Sequence, residues 1–126
     1  MIYMSYWSTV EWHIEFYVTE NGESPVEDSI ASLPKKAGAK IFRWLDLLEK
    51  FGLSDLRDYI TKLEGYDLFE LKILHAGNYY RVFFSPYKDK RLMLFHIFSK
   101  KSKKTPRREI ETAMRRKQDY ESRQVA

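Results

Sequence analysis

The sequence predicts an α+β domain with the element order β-α-α-β-β-β-α, helices packed on one face of an antiparallel sheet. Three observations carry that class. An early stretch alternates apolar and polar residues, and a middle stretch repeats apolar residues at helical spacing. Three further alternating runs then follow with only short turn-forming separators. At 126 residues the chain has single-domain length, one unit over residues 1–126 with a core over about 10–120.

In "EWHIEFYVTE" (Glu11–Glu20), Trp12, Ile14, Phe16 and Val18 fall on one face and His13, Glu15, Tyr17 and Thr19 on the other, the pattern of a half-buried strand. "NGESP" breaks it. Ser24 followed by Pro25 reads as an N-cap with proline at the first helical position, so a short helix is expected over Pro25 to Leu33. A longer helix follows from Lys35 to Phe51, with Ile41, Trp44, Leu45 and Leu48 in its apolar stripe, Phe42 and Leu47 widening it, and Gly52 as C-cap. Leu53 to Gly65 is polar and irregular and reads as a connection. "DLFELKIL", "YYRVFFS" and "RLMLFHIFS" are strands; "HAGN" and "PYKDK" between them suit hairpins. A last helix starts at Thr105 as N-cap with Pro106 next, and Ile110, Ala113 and Met114 form its apolar stripe.

Composition excludes several chemistries. There is no cysteine, so disulfides, thiolate nucleophiles and Cys-based zinc sites are ruled out. His13, His75 and His96 sit on separate elements without HxxxH or HExxH spacing, which argues against any metal site. No dinucleotide, P-loop or serine-hydrolase motif is present. With no signal-peptide pattern and no long apolar run, a cytoplasmic, membrane-free protein is expected.

The charge is uneven. The chain carries +4 overall, but Ser99 to Ala126 holds ten Lys/Arg against four Asp/Glu, leaving the rest slightly acidic. A neutral body with a basic end faces a polyanion. Lys100, Lys101, Lys103 and Lys104 lead into a helix amino end, where free N–H groups favour an anion, and Arg107 and Arg108 extend the field into its first turn. Lysine-rich sheet edges also deter aggregation, but cations at the amino end oppose the helix dipole, which favours phosphate binding over that account. Period-two geometry puts Lys72 and Arg81 on the solvent face of neighbouring strands, with Glu70 beside Lys72 as a possible neutraliser. His96 falls with Leu92, Leu94 and Phe98 and reads first as a hydrogen-bonded structural histidine.

"LFELKI", "YYRVFF" and "LMLFHIFSKKSKKTPRREIETAMRRKQDY" resemble the HigB-like, phage-derived subgroup of the RelE/ParE toxins of bacterial type II toxin–antitoxin systems. That subgroup shows an "ELR"-like strand, a "yRi" strand and a strand reading roughly "lLhgFxKKtqktP" before a helix "xEIexAxxR". The likeness runs from about Val10 to Tyr120 and is most specific from Leu92 to Arg116; "SPVEDSIASLP" resembles the subgroup's first helix. Two positions depart from the pattern. Lys72 replaces the usual arginine, keeping charge but losing the bidentate fork, and Ile97-Phe98 replaces Gly-Phe.

The resemblance implies a RelE-like fold, two helices on an antiparallel sheet plus a C-terminal helix. It implies a ribosome-dependent mRNA endonuclease that works by attack of a ribose 2′-hydroxyl on the adjacent phosphate, without metal or other cofactor. The partners it implies are mRNA on the ribosome and a cognate antitoxin of helix-turn-helix type. On the matching positions, Arg81 with Lys72 would hold the scissile phosphate and stabilise the phosphorane. Lys100 or Lys101 would transfer protons, since crowding by like charge favours the neutral amine, with His96 as secondary acid or base. Lys103, Lys104, Arg107 and Arg108 would bind flanking RNA backbone. The rivals are a ParE-like gyrase poison and a non-catalytic nucleic-acid-binding regulator. The lysine cluster favours the nuclease.

Overall fold

The computed structural model describes residues 11–100 and 104–124, and the fold class is the α+β one expected. The elements are β1 (His13–Phe16), α1 (Pro25–Ala31), α2 (Lys35–Asp55), β2 (Ile60–Lys62), β3 (Phe69–His75), β4 (Asn78–Tyr87), β5 (Arg91–Lys100) and α3 (Arg107–Gln124). They form one five-stranded sheet in the order β1-β5-β4-β3-β2.

Strands β2 to β5 are antiparallel, as the hairpin separators predict, whereas β1 lies parallel to β5 at the edge, Ile14 opposite Leu92 and Phe16 opposite Leu94. The parallel pairing follows from topology, because two helices intervene between β1 and the rest of the sheet. Its outer edge is closed by α2. The Trp12 N–H donates to the Glu49 carbonyl at 3.0 Å and the Ile14 N–H to the Glu49 side chain at 2.8 Å. Strand β2 is an addition to the expected order. "ITK" is too short to show a period, and it is held by pairing with Phe69–Leu71 and by Ile60 packing on the first core.

The helices do not all lie on one face, which corrects that expectation. Val26 and Ile30 of α1 and Ala37, Ile41, Leu45 and Leu48 of α2 pack with Leu71, Ile73, Val82, Phe84, Leu92 and Leu94 in one core. On the opposite face Tyr17, Leu68, Phe83, Met93, Phe95, Ala113 and Tyr120 form a second. An alternating strand offers side chains to both sides, and β4 and β5 are apolar on both, so each face requires a cover. The stripe of α3 is longer than Ile110, Ala113 and Met114 alone; it continues through buried Lys117 and Tyr120. The Lys117 ammonium reaches the Tyr87 hydroxyl at 3.1 Å and Glu121 at 3.1 Å while lying over the Tyr87 ring. Phe42, placed in the α2 stripe by sequence, is exposed, as is Val18 beyond the end of β1.

Alternation on β5 is interrupted. Phe83 pairs with His96 but Phe84 pairs with Leu94, so Phe95 is an extra residue on β5. Residues beyond the bulge change sides: Ile97 joins the first core, whereas Phe98 and His96 turn towards α3. The expected grouping of His96 and Phe98 with Leu92 and Leu94 is therefore wrong by one residue.

Gly52 ends the regular part of α2 as expected, with φ 80° and ψ −177°. That region is accessible essentially to glycine alone. A Cβ there would lie 2.7 Å from the indole nitrogen of Trp12. Gly52→Ala is expected to lower unfolding free energy by on the order of 3 kcal/mol, from backbone strain and the clash together, as read by urea denaturation. A loss under about 1 kcal/mol would show that Trp12 swings aside freely.

Candidate nucleic-acid interface

Past the bulge, one face of three consecutive strands becomes a regular grid. Glu70, Phe83 and His96 are aligned across β3, β4 and β5; Lys72, Arg81 and Phe98 form the next row; Leu74, Tyr79 and Lys100 form the last. The expected juxtaposition of Lys72 and Arg81 is present, in direct register. Both cations lie near the ring of Tyr79, the Lys72 nitrogen at 5.9 Å and the Arg81 guanidinium carbon at 5.7 Å from its centroid, the outer limit of cation–π attraction.

Arg81 is not on a solvent face, and this corrects the second half of that expectation. It is 1% exposed. Its Nη1 donates to Glu70 Oε2 and, at 3.3 Å, to Thr105 Oγ1, and the Thr105 hydroxyl donates to Glu70 Oε1 at 3.2 Å. The neutraliser role foreseen for Glu70 thus falls on Arg81 rather than Lys72. The cause is burial, since a carboxylate 3% exposed needs a charged partner, and Arg81 supplies one through Nη1. Thr105 is the residue sequence reasoning missed. Assigned to capping, it instead closes a triangle joining β3, β4 and the segment before α3; the helix itself begins at Arg107.

His96 is hydrogen-bonded through both ring nitrogens. The Arg116 guanidinium donates to the Phe95 carbonyl at 2.9 Å and to His96 Nδ1 at 3.2 Å. With Nδ1 accepting, Nε2 carries the proton and donates to Glu109 Oε1 at 2.6 Å. Burial pushes the imidazole below its ordinary titration range, an effect the Glu109 carboxylate opposes and the Arg116 and Arg115 charges reinforce. The ring ties β5 to Glu109 in the first turn of α3 and to Arg116 further along it.

The remaining candidates are spread along one rim. Lys100 closes β5 opposite Tyr79, and Lys104 is exposed. Arg107 and Arg108 are over four-fifths exposed and make only loose ion pairs, to Glu111 at 3.4 Å and Glu109 at 3.5 Å. Lys101 and Lys103 fall outside the described residues. Lys72 opens onto a groove lined by Lys40, Trp44, Tyr59, Lys72, Leu74 and Tyr79, and neither Arg81 nor Lys100 is among its walls. The strands therefore bring Lys72, Arg81 and Lys100 together on one face, with Lys72 alone of the three on the wall of this groove. Among the described residues, no group of His, Asp and Glu is arranged to hold a metal ion, and no helix is long and apolar enough to cross a membrane.

Two outcomes follow from these contacts. Arg81→Ala should cost about 3–5 kcal/mol in urea unfolding by stranding Glu70, whereas a double Arg81→Met, Glu70→Leu change should recover most of it. A double variant as unstable as the single would show that the charge is not what matters. Because the His96 proton affinity is lowered on folding, the unfolded chain binds the extra proton first. Stability should then fall as pH drops below about 6.5 and level off once the folded imidazole is also protonated. His96→Gln should flatten that slope in thermal unfolding; an unchanged slope would clear His96.

The comparisons with known proteins agree with this architecture. No curated protein matches the chain. A family model described as "Phage derived protein Gp49-like (DUF891)" matches residues 28–118, which takes in the end of α1, all of α2, β2 to β5 and most of α3. With most of its length matched, the chain belongs to the Gp49-like family of phage-derived, toxin–antitoxin-associated proteins.

Proposed function

We propose that this protein is the toxin of a type II toxin–antitoxin pair, of the HigB-like kind, and that it cleaves mRNA on the ribosome. The observation that carries the reading is the register of β3, β4 and β5, which sets Lys72, Arg81, Tyr79 and Lys100 side by side at the end of the sheet from which the lysine-rich segment departs. RNA scission by the ribose needs three things: a base for the 2′-hydroxyl, positive charge for the phosphorane, and an acid for the 5′-oxygen. The 2′-O–P bond forms as the P–O5′ bond breaks, one proton leaving the 2′-oxygen and another reaching the 5′-oxygen. No metal is required.

Lys72 is the phosphate ligand in this scheme, being open and next to the groove. Arg81 acts from beneath it as a fixed positive charge held by Glu70 and Thr105. Lys100 or Lys101 exchanges the protons. Lys103, Lys104, Arg107 and Arg108 follow the flanking backbone, and the basic rim is the surface a cognate antitoxin would neutralise. The burial of Arg81 against a carboxylate favours one rival, a protein that binds nucleic acid without cutting it.

Transcripts isolated after induction should carry new internal ends with 5′-hydroxyls, ligatable only after phosphorylation, and Lys72→Ala should lower their yield about 100-fold or more with the fold kept. Intact transcripts with damaged supercoiled DNA would favour a gyrase poison, and 5′-phosphate ends would rule out ribose attack.

A further inference from the structure

We propose that the groove between α2 and the outer edge of β3 is a stacking subsite for one nucleobase of single-stranded RNA. The groove exists because β2 is only three residues long. Its last pair is Ile60 with Leu71, so from Lys72 to His75 the outer side of β3 has no strand partner among the described residues. Trp44 and Tyr59 stand over that gap edge to face, ring centroids 4.6 Å apart, and Tyr79 borders it from β4. Tyr59 is 49% exposed and Leu74 52%, so the apolar lining is open to solvent rather than spent on the core.

Three features favour a base over other occupants. The lining combines aromatic rings with two cations, Lys40 and Lys72, and contains no carboxylate, so it attracts an anionic polymer with flat apolar faces. Its volume of about 240 Å³ is below the roughly 300–1,000 Å³ of pockets that enclose whole small ligands, enough for a single planar group. A peptide adding itself to the strand edge would need the free carbonyls of β3, and the Lys40 ammonium already holds that of Leu74 at 2.8 Å. The choice of RNA as the polymer rests on the RNA-cleaving reading above. The groove adds a base contact next to the cation assigned to the phosphate, a place where sequence preference can arise.

The test uses the full chain and two probes, a short 2′-O-methyl oligoadenylate and an abasic 2′-O-methyl sugar-phosphate oligomer of the same length. Neither can be cut by ribose attack, so binding is read apart from catalysis. The intact protein should bind the base-bearing probe more tightly. Tyr59→Ser should weaken that binding by about 5- to 150-fold while leaving the abasic probe unaffected, and Tyr59→Phe should restore it. Lys72→Gln should weaken both probes alike and reduce the salt dependence. Equal affinity of Tyr59→Ser and the parent for oligoadenylate would overturn the proposal. So would a dimer in sedimentation that Tyr59→Ser dissociates, which would give the groove to a second copy. If transcripts remain uncut in cells but the Tyr59 dependence holds, the nuclease reading falls and the groove stands. If 5′-hydroxyl ends form and Tyr59 is indifferent, the reverse is true.

Discussion

A carboxylate and a guanidinium buried together between two strands set the terms for this half of the molecule. Neither Glu70 nor Arg81 retains meaningful contact with water, and each is tolerable only because the other is present. The pair fixes β3 against β4 at one register, because a slip of either strand by one residue would turn its charge into the first core, among Leu71, Ile73, Val82 and Phe84, and strand the other. Thr105 extends the constraint. By bonding both partners it anchors the chain just after the lysine-rich segment, so α3 starts from a determined point above the sheet. His96, braced by Arg116 and Glu109, makes the second attachment of the same helix. These clasps, the apolar stripe and polar contacts further along such as Lys117 to Tyr87 and Tyr17 to Asp119 hold α3 on a face that sequence periodicity alone left uncovered.

What could be read in advance was whatever depends on local period. The strands β3, β4 and β5, the start of α1, the glycine that stops α2, and the opposition of Lys72 to Arg81 all follow from spacing along short stretches. What could not be read depends on pairs distant in sequence. The bulge at Phe95 arises in the match between β4 and β5, and nothing in "LMLFHIFS" by itself announces that His96 and Ile97 trade sides. Strand β2 exists only because Phe69–Leu71 offers it a partner. The burial of Arg81 requires knowing that α3 covers its face. A signal was available there: Glu70 and Arg81 flank the "HAGN" hairpin at positions that must lie diagonally adjacent on one face, and an acid placed diagonally from a base is as natural a partner as one beside it.

The same burial changes what Lys72 means. Arginine at both positions 72 and 81 would put two forks beside a single Glu70, competing for its oxygens. Lysine at position 72 leaves Glu70 to Arg81 and Thr105 and stays partly exposed as a point charge on the wall of the groove. Lysine where the HigB-like pattern has arginine is consistent with a division of labour, one cation structural and buried, its neighbour open to a ligand.

That division bears on how any loss of activity is to be understood. Removing Arg81 acts first on folding, through the uncompensated carboxylate and the detached start of α3, and only then on whatever the face binds. Removing Lys72 touches no buried partner, so its effect belongs to the ligand. The exposed Arg107 and Arg108 belong to a third class. Their ion pairs are long and screened, of little consequence for stability, and their positive charge at a helix amino end is unfavourable unless an anion shares that space. Charges that stabilise little in the free chain, set in an unfavourable place near a fixed and buried cation, are what the proposed RNA ligand would account for, since a phosphate backbone along the rim would supply the missing anion.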